Sequence, residues 1–519
     1  MKKAFLAIVV IGFLLLCARA QSSSVERHVI VMVWDGMRPD FISETNTPNL
    51  FALATRGVRF ANHHPVYIST TEVNGTTIAT GTYPGMDGIL ANTEYRPLIE
   101  PEKPIHTEEF EDVRKGDEVA HGHYVAVPTT AEILQKHGYH TIITAAKPVG
   151  LLHDRLPRTD SSLGINIFAG RALPDSYGTI ISNFCGVFPE ASAKSPTRND
   201  WTTDALIHPL WKNGVPAFNV LWMSEPDASQ HATGPGSPRS LAAIREADRN
   251  LGRVVQRLTE LGKLDTTDIM VVSDHGFTTI QAVVDVAESL RNAGFKAFES
   301  FAIPPNPGDI MVVPLGGSFL LYVTGHDPVI TEKLVDFLQH WQSTGVIFTR
   351  TAMPGTFSMA MAHIDSKDKP DLIVSLRWND GISDFGAPGM LDCCAVSYHP
   401  GQGMHGSLSR SDMHNTFVAA GPDFKTGIQD QLPTGNIDIA PTALHLLGVT
   451  VPETMRGRVV SEALVQPGLR SLRSYAPNRV EAVRSFGKST WKQYLLTSTV
   501  NGTLYLDQGN GELKSPQNE

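Results

Sequence analysis

The chain has 519 residues, 41% apolar and 18% charged, with a formal net charge of −10. This is globular composition, long enough to bury a central sheet, and it excludes a fibrous or disordered chain. The acidic balance argues against a nucleic-acid polymer or an anionic membrane surface as partner.

The start, M-K-K-A-F-L-A-I-V-V-I-G-F-L-L-L-C-A-R-A-Q, has a basic n-region, an apolar core from Ala4 to Leu16 and an Ala18-Arg19-Ala20 cleavage site. It reads as a signal peptide over 1–20, which predicts a secreted or periplasmic chain from Gln21. The run is too short to predict stable membrane insertion. Leu16 before Cys17 argues against lipid attachment. Loss of Lys2, Lys3 and Arg19 moves the formal charge from −10 to −13. Cys185, Cys393 and Cys394 then remain, so at most one disulfide can form, and pairing of adjacent Cys393 with Cys394 is disfavoured.

An apolar strand is predicted at His28 to Trp34, ending in V-W-D-G-M-R-P-D with Asp35 at its exit. The segment 69–89, S-T-T-E-V-N-G-T-T-I-A-T-G-T-Y-P-G-M-D-G-I, predicts a helix beginning just after Thr71. A hydroxyl there meets a positive helix end and backbone N–H groups, so Ser69, Thr70 and Thr71 are all candidate nucleophiles. Residues 98–125 form a charged stretch expected to act as a solvated rim. Strands follow at Tyr139 to Ala145 and Phe218 to Met223, the latter leading into E-P-D-A-S-Q-H with Asp227 and His231. Apolar residues recurring at three and four predict a helix from Ser240 to Leu261, stopped at Gly262. A strand at Asp268 to Ser273 presents Asp274 and His275. Residues 281–364 are long enough for an inserted cap, with a Pro-rich loop at 304–308. Strands are expected at Phe319 to Val323, Asp371 to Leu376 and Thr416 to Ala420, and a helix at Ile439 to Leu447. The tail from 466 ends in a hairpin, Trp491 to Leu506, expected against the sheet edge. This alternation predicts an α/β fold, a doubly wound central sheet flanked by helices on both faces. The expected divisions are 1–20, a catalytic domain over 25–465 with the cap inside it, and 466–519 packed on the core.

Asp35, Asp227 and Asp274 each follow a strand, and ligands of open α/β sheets sit at carboxyl ends of strands. With His231, His275 and His405 they make a nitrogen and oxygen set that suits two divalent ions, zinc first, with manganese or iron as alternatives. His399 and His414 compete with His405, but Gly403 and Gly406 flank His405 closely in G-M-H-G. Three carboxylates against two dications leave a positive site that attracts an anion such as a phosphate ester. Any one strand-end Asp is more often a cap or turn former than a ligand. Arg38 with Asp40 reads as a pair orienting the first loop, Thr76, Thr77 and Thr80 as helix packing or backbone bonding, and Trp34 and Met404 as packing.

These residues resemble the nucleotide pyrophosphatase/phosphodiesterase branch of the alkaline phosphatase superfamily. Thr71 stands three before Asn74 and nine before Thr80-Gly81-Thr82-Tyr83-Pro84, the family spacing, and seven site positions match in order between about 28 and 465. The resemblance implies Thr71 as nucleophile and Asn74 as a donor to a nonbridging phosphoryl oxygen. It implies Asp35, Thr71, Asp274 and His275 on one zinc, with Asp227, His231 and His405 on the other. Turnover would run through a phosphothreonine. Glu72 and Val73 depart from the family pattern, as does Arg96-Pro97 after Asn92 and Tyr95. Asn92, Tyr95 and Arg96 are expected to contact the substrate. The expected function is hydrolysis of phosphodiesters or pyrophosphates, small molecules such as nucleotides. A phosphomonoesterase or phosphonate hydrolase is the alternative on this scaffold and needs a further cation, for which Arg96 and Lys147 are the candidates. A sulfatase is disfavoured, because C/S-x-P-x-R has no counterpart around Thr71. A noncatalytic metal-binding protein is the alternative of another class, opposed by the presence of Thr71.

Overall fold

A computed structural model describes residues 26–156, 163–190, 197–302, 304–466 and 475–515. The expected signal peptide lies outside these residues. Nine strands form the central sheet, in the order Ile428–Asp430, Val58–Phe60, Phe417–Ala420, Thr267–Val272, His28–Trp34, Phe218–Met223, Thr141–Ala145, Gly164–Phe168, Arg171–Leu173. The five from Thr267–Val272 to Gly164–Phe168 run parallel, and Phe417–Ala420 and Arg171–Leu173 pair antiparallel beside them. His28–Trp34 and Phe218–Met223 are buried along their whole length, the pattern of strands covered on both faces. Two apolar layers do the covering. One face packs Val29, Val31 and Val33 with Trp222, Ile439 and Leu444; the other packs Ile30, Met32 and Trp34 with Ile244, Leu251 and Leu258 of the helix Pro238–Glu260. Ser237 caps that helix by accepting from Ser240 N–H.

A second sheet of six strands runs from Ala297–Phe298 to Leu372–Leu376, so it extends past residue 364 and takes in the strand expected at Asp371 to Leu376. The C-terminal segment contains the expected hairpin and adds a strand before it. It is a meander of three strands, Tyr475–Phe486, Ser489–Val500 and Thr503–Lys514. Its apolar residues do not face the central sheet edge. Trp491 packs with Leu338, Ile347 and Leu376 of the second sheet's layer and donates to Gly355 O, while Gln493 bonds both N–H and O of Ile347. The alternation of buried and half-buried residues along Ser489–Val500 marks a strand with one covered face.

Cys185, Cys393 and Cys394 are free thiols, with Cys394 hydrogen-bonded to Gly316 O and Ser318 O. Among the described residues no helix is long and apolar enough to cross a membrane.

Candidate active site

Three adjacent parallel strands deliver the carboxylates. Asp35 follows His28–Trp34, Asp274 follows Thr267–Val272 on one side, and Asp227 opens the helix Asp227–Thr233 four residues after Phe218–Met223 on the other. Their loops are tied together: Asp227 N donates to Asp35 O at 3.0 Å, and Gly36 N donates to Asp274 Oδ1 at 2.9 Å. Gly36 has φ +71, and an added Cβ would lie 2.9 Å from the Phe277 ring, so the turn that aims this amide requires glycine.

Each carboxylate is divided between two tasks. Asp35 Oδ2 accepts from Trp222 Nε1 at 2.9 Å, Asp274 Oδ1 accepts from Gly36, and Asp227 Oδ2 faces Lys147 Nζ at 3.3 Å. The other oxygens, Asp35 Oδ1, Asp227 Oδ1 and Asp274 Oδ2, are buried without a hydrogen-bond partner. A buried orphan carboxylate oxygen costs several kcal/mol unless a cation meets it. The three histidines complement them. His231, His275 and His405 each hold Nδ1 against a backbone carbonyl, Gly403 O, Gly276 O and Ser69 O, at 2.9–3.0 Å. That bond assigns the proton to Nδ1 and leaves the Nε2 lone pair as a ligand. His275 Nε2 lies 3.2 Å from Asp274 Oδ2 and 3.6 Å from Asp35 Oδ1; His231 Nε2 and His405 Nε2 lie 3.2 and 3.6 Å from Asp227 Oδ1. His275 ligand nitrogen also falls within the group formed with Asp227 and His405. The donors are therefore two contiguous nitrogen and oxygen sets, a fit to a pair of divalent ions.

Electrostatics agree with this division. Burial and the facing Asp274 push the Asp35 carboxyl well above its usual range. Burial opposes the Asp227 charge too, but Lys147 and His231 outweigh it and hold that carboxyl well below. Burial, His275 and His231 keep the His405 imidazole neutral, the state a metal ligand needs.

Thr71 is the first residue of the helix Thr71–Thr80, with Thr70 extended before it. Its Oγ1 sits 3.3 Å from His275 Nε2 and 3.3 Å from Lys147 Nζ. Ser69 Oγ donates instead to Ser407 O and Thr70 Oγ1 is buried without a hydrogen-bond partner, so of the three hydroxyls it is Thr71 that bonds His275 and Lys147. Thr76 and Thr80 donate to the carbonyls of Glu72 and Thr76, a backbone role.

Three expectations need correction. Asn74 has no free donor: Nδ2 donates to the carbonyls of Val66, Ile68 and Thr70, while Oδ1 accepts from Val66 N and Asn436 Nδ2. It braces the turn before the helix and cannot also reach a phosphoryl oxygen. Tyr95 and Arg96 likewise spend their polar groups elsewhere. Tyr95 Oη donates to Pro101 O, and Arg96 donates to Glu94 and Gly88 O while stacking over Tyr124. Both line a separate cavity of about 870 Å³ that includes none of the cluster residues. Asn92 differs, since its Oδ1 accepts from Glu72 N at 3.2 Å, at the first turn of the helix Thr71–Thr80.

Two acids complete the surroundings. Residues 98–125 are not only a solvated rim, because they carry the helix Phe110–Val119 and bring Glu108 against Glu72. Burial pushes both carboxyls up, and the two face each other. Charge patterning marks 98–125 as hydrophilic and gives no signal that one of its acids turns inward. Arg38 pairs with Asp40 and donates to Phe277 O and Pro388 O, locking the loop after the first strand as expected. His399 is exposed, and His414 packs on His64 at a ring distance of 4.6 Å, so neither joins the cluster.

The profile of the type I phosphodiesterase / nucleotide pyrophosphatase family matches residues 29–332. The chain belongs to this family. It is thereby a hydrolase of the phosphodiesterase/nucleotide pyrophosphatase class. Human ectonucleotide pyrophosphatase/phosphodiesterase family member 7 is 23% identical over 453 residues, 86% of this chain and 84% of that protein. The bovine bis(5'-adenosyl)-triphosphatase ENPP4 is 24% identical over 278 residues, 53% of each chain. Murine ectonucleotide pyrophosphatase/phosphodiesterase 5 superposes with a TM-score of 0.60 at 18% identity, covering 84% of this chain and all of that one. An inactive threonine-to-alanine form of that murine protein has been solved in complex with AMP. The alkaline-phosphatase-like α/β architecture of this phosphodiesterase family member follows.

Proposed function

We propose that this family member hydrolyses phosphodiester or pyrophosphate bonds of nucleotides or related small molecules, with Thr71 as nucleophile. The observation that carries the reading is the Thr71 hydroxyl at a helix N-terminus, 3.3 Å from His275 Nε2, which itself lies 3.2 and 3.6 Å from the orphan oxygens of Asp274 and Asp35. Asp35, Asp274 and His275 with Thr71, and Asp227, His231 and His405, would hold the two ions, zinc by the nitrogen and oxygen donor set. When bound, such ions lower the charge cost at the attacking and departing oxygens. Thr71 Oγ1 loses its proton and attacks phosphorus in line, forming a phosphothreonine as the ester oxygen departs with its electron pair. Water then attacks phosphorus from the vacated side and frees Thr71. Asn92, half-buried with its oxygen committed to Glu72 N, keeps its Nδ2 protons for a nonbridging oxygen, the role expected of Asn74. The nucleotide preference draws on relatives named for nucleotide substrates. Residues 1–20 support export of the chain.

The deciding experiment is hydrolysis of bis-p-nitrophenyl phosphate by the zinc-supplied protein, a chelated control and Thr71→Ala. Turnover lost on chelation, and lost more than about a thousandfold in Thr71→Ala with zinc content retained, is the expected outcome. Substantial turnover by Thr71→Ala would remove the covalent route.

A further inference from the structure

Lys147 stands two residues beyond Thr141–Ala145, the parallel strand beside Phe218–Met223, so a fourth strand exit sends its side chain to the same rim. Its Nζ lies 2.9 Å from Asp35 Oδ2, 3.3 Å from Asp227 Oδ2 and 3.3 Å from Thr71 Oγ1. These are the carboxylate oxygens that do not carry the orphaned lone pairs; Oδ1 of both acids is left to the ion sites. The ammonium therefore joins the two halves of the site without engaging the orphan carboxylate oxygen of either. Glu72 and Glu108 act on it through space, and its side chain is 22% exposed. An ammonium is a compact charge with three donors, and one of these is already directed at the nucleophile oxygen that becomes bonded to phosphorus.

We infer that Lys147 binds the nonbridging oxygens of the transferred phosphoryl group and makes phosphate monoesters a second substrate class for this site. The inference rests on the hydrolase reading above and adds the substrate class to it. A diester presents one negative charge at phosphorus and a dianionic monoester presents two, the second on a nonbridging oxygen. A fixed cation beside Thr71 Oγ1 favours the dianion over the diester. The reaction balances as before. The Thr71 O–H bond breaks, its proton passing to solvent, as the oxygen bonds to phosphorus; the alcohol leaves with the electron pair of its P–O bond and takes up a proton from solvent; and water cleaves the phosphothreonine, giving inorganic phosphate and restoring the Thr71 hydroxyl. Arg96, the other cation expected for this role, is held by Glu94 and Gly88 O and lines the separate cavity.

The test compares p-nitrophenyl phosphate with bis-p-nitrophenyl phosphate in zinc-loaded wild type, Lys147→Met and Lys147→Arg. Calorimetric binding of inorganic phosphate to zinc-loaded Thr71→Ala, with and without Lys147→Met, supplies a readout without turnover. Loss of one charge-assisted contact is expected to lower monoester kcat/KM and phosphate affinity roughly 10- to 100-fold in Lys147→Met. Diester kcat/KM should fall by a clearly smaller factor than monoester kcat/KM, zinc content should be retained, and Lys147→Arg should restore part of the monoester activity. Equal losses on both esters, unchanged phosphate affinity, or wild type that cleaves the diester but no monoester would each overturn the inference. If zinc-loaded wild type cleaves neither ester, the hydrolase reading itself fails; phosphate calorimetry still decides Lys147, with unchanged affinity counting against it.

Discussion

Two asparagines near Thr71 show how far residue-level reasoning reaches. Asn74 and Asn92 are the same chemical group, and Asn74 keeps the family spacing, yet its amide is consumed by the carbonyls of Val66, Ile68 and Thr70. Spacing tells where on a helix a side chain starts; it does not tell which acceptors surround its hydrogens. The two substitutions should therefore separate. Asn92→Ala is expected to lower diester turnover by about 10²- to 10³-fold, the scale of losing one preorganised donor, with little change in melting temperature. Asn74→Ala strands several buried carbonyls and should cost about 2–3 kcal/mol of stability in urea unfolding. A melting temperature unchanged in Asn74→Ala would contradict the bracing role. The acids and histidines that the structure gathers into one cluster were expected together for a different reason. A carboxylate or imidazole directly after an apolar strand has few structural uses that need such repetition, whereas Glu108 sits in a hydrophilic stretch where an acid is unremarked.

At the scale of elements, the helix Thr71–Thr80 must lie deep enough to bring its first residue to the cluster, and all ten of its residues are buried. Gly75 makes that depth possible. A Cβ there would meet Val149 Cγ2 at 2.5 Å and the Trp222 ring at 3.2 Å, and Trp222 is the residue that donates to Asp35. Gly75→Ala should cost about 1–3 kcal/mol by overpacking and reduce activity with it, since the nucleophile and Asp35 both shift. Full activity in a normally stable Gly75→Ala would show that the contact relaxes freely. The C-terminal meander is attached through its middle and last strands, the last accepting from Trp378 Nε1 at Gly509 O and donating from Tyr505 Oη to Asp438. Trp491 is fully buried and bonded to Gly355 O, so Trp491→Ala should lose about 3–5 kcal/mol, read as a shift of the urea midpoint. A shift under half that size would mean that the meander docks mainly through other contacts. Period-two alternation makes strands visible in this segment, but their partner sheet is a matter of which apolar face lies nearest, and no local pattern encodes it.

For the whole molecule, buried neutral histidines set the acid limit. Burial lowers His63 and His414 to about 3 and His153 to about 4, from an ordinary value near 6.5. Their folded pKa values lie below the unfolded ones, so the unfolded chain binds protons that the folded chain excludes. Their contribution to stability is complete above about pH 6.5 and is lost as pH drops from 6.5 toward about 4 for His153 and about 3 for His63 and His414, by up to roughly 1.4 kcal/mol per pH unit for each histidine. Urea midpoints of the chelated protein at pH 7, 6, 5 and 4 separate this from loss of metal; a flat profile would show that these rings are protonated in the folded state. The sequence by itself determined the α/β class, the strands His28–Trp34 and Phe218–Met223 end to end, and the acids and histidines of the site, because hydrophobic period and ligand chemistry are local properties. Tertiary structure alone decided that Lys147 joins the cluster while Arg96 does not, that Asn92 and not Asn74 has a donor to give, and that the C-terminal strands cover the second sheet. Each of those outcomes depends on which distant atoms occupy the space around a polar group or an apolar face, and that information exists only once the chain has packed.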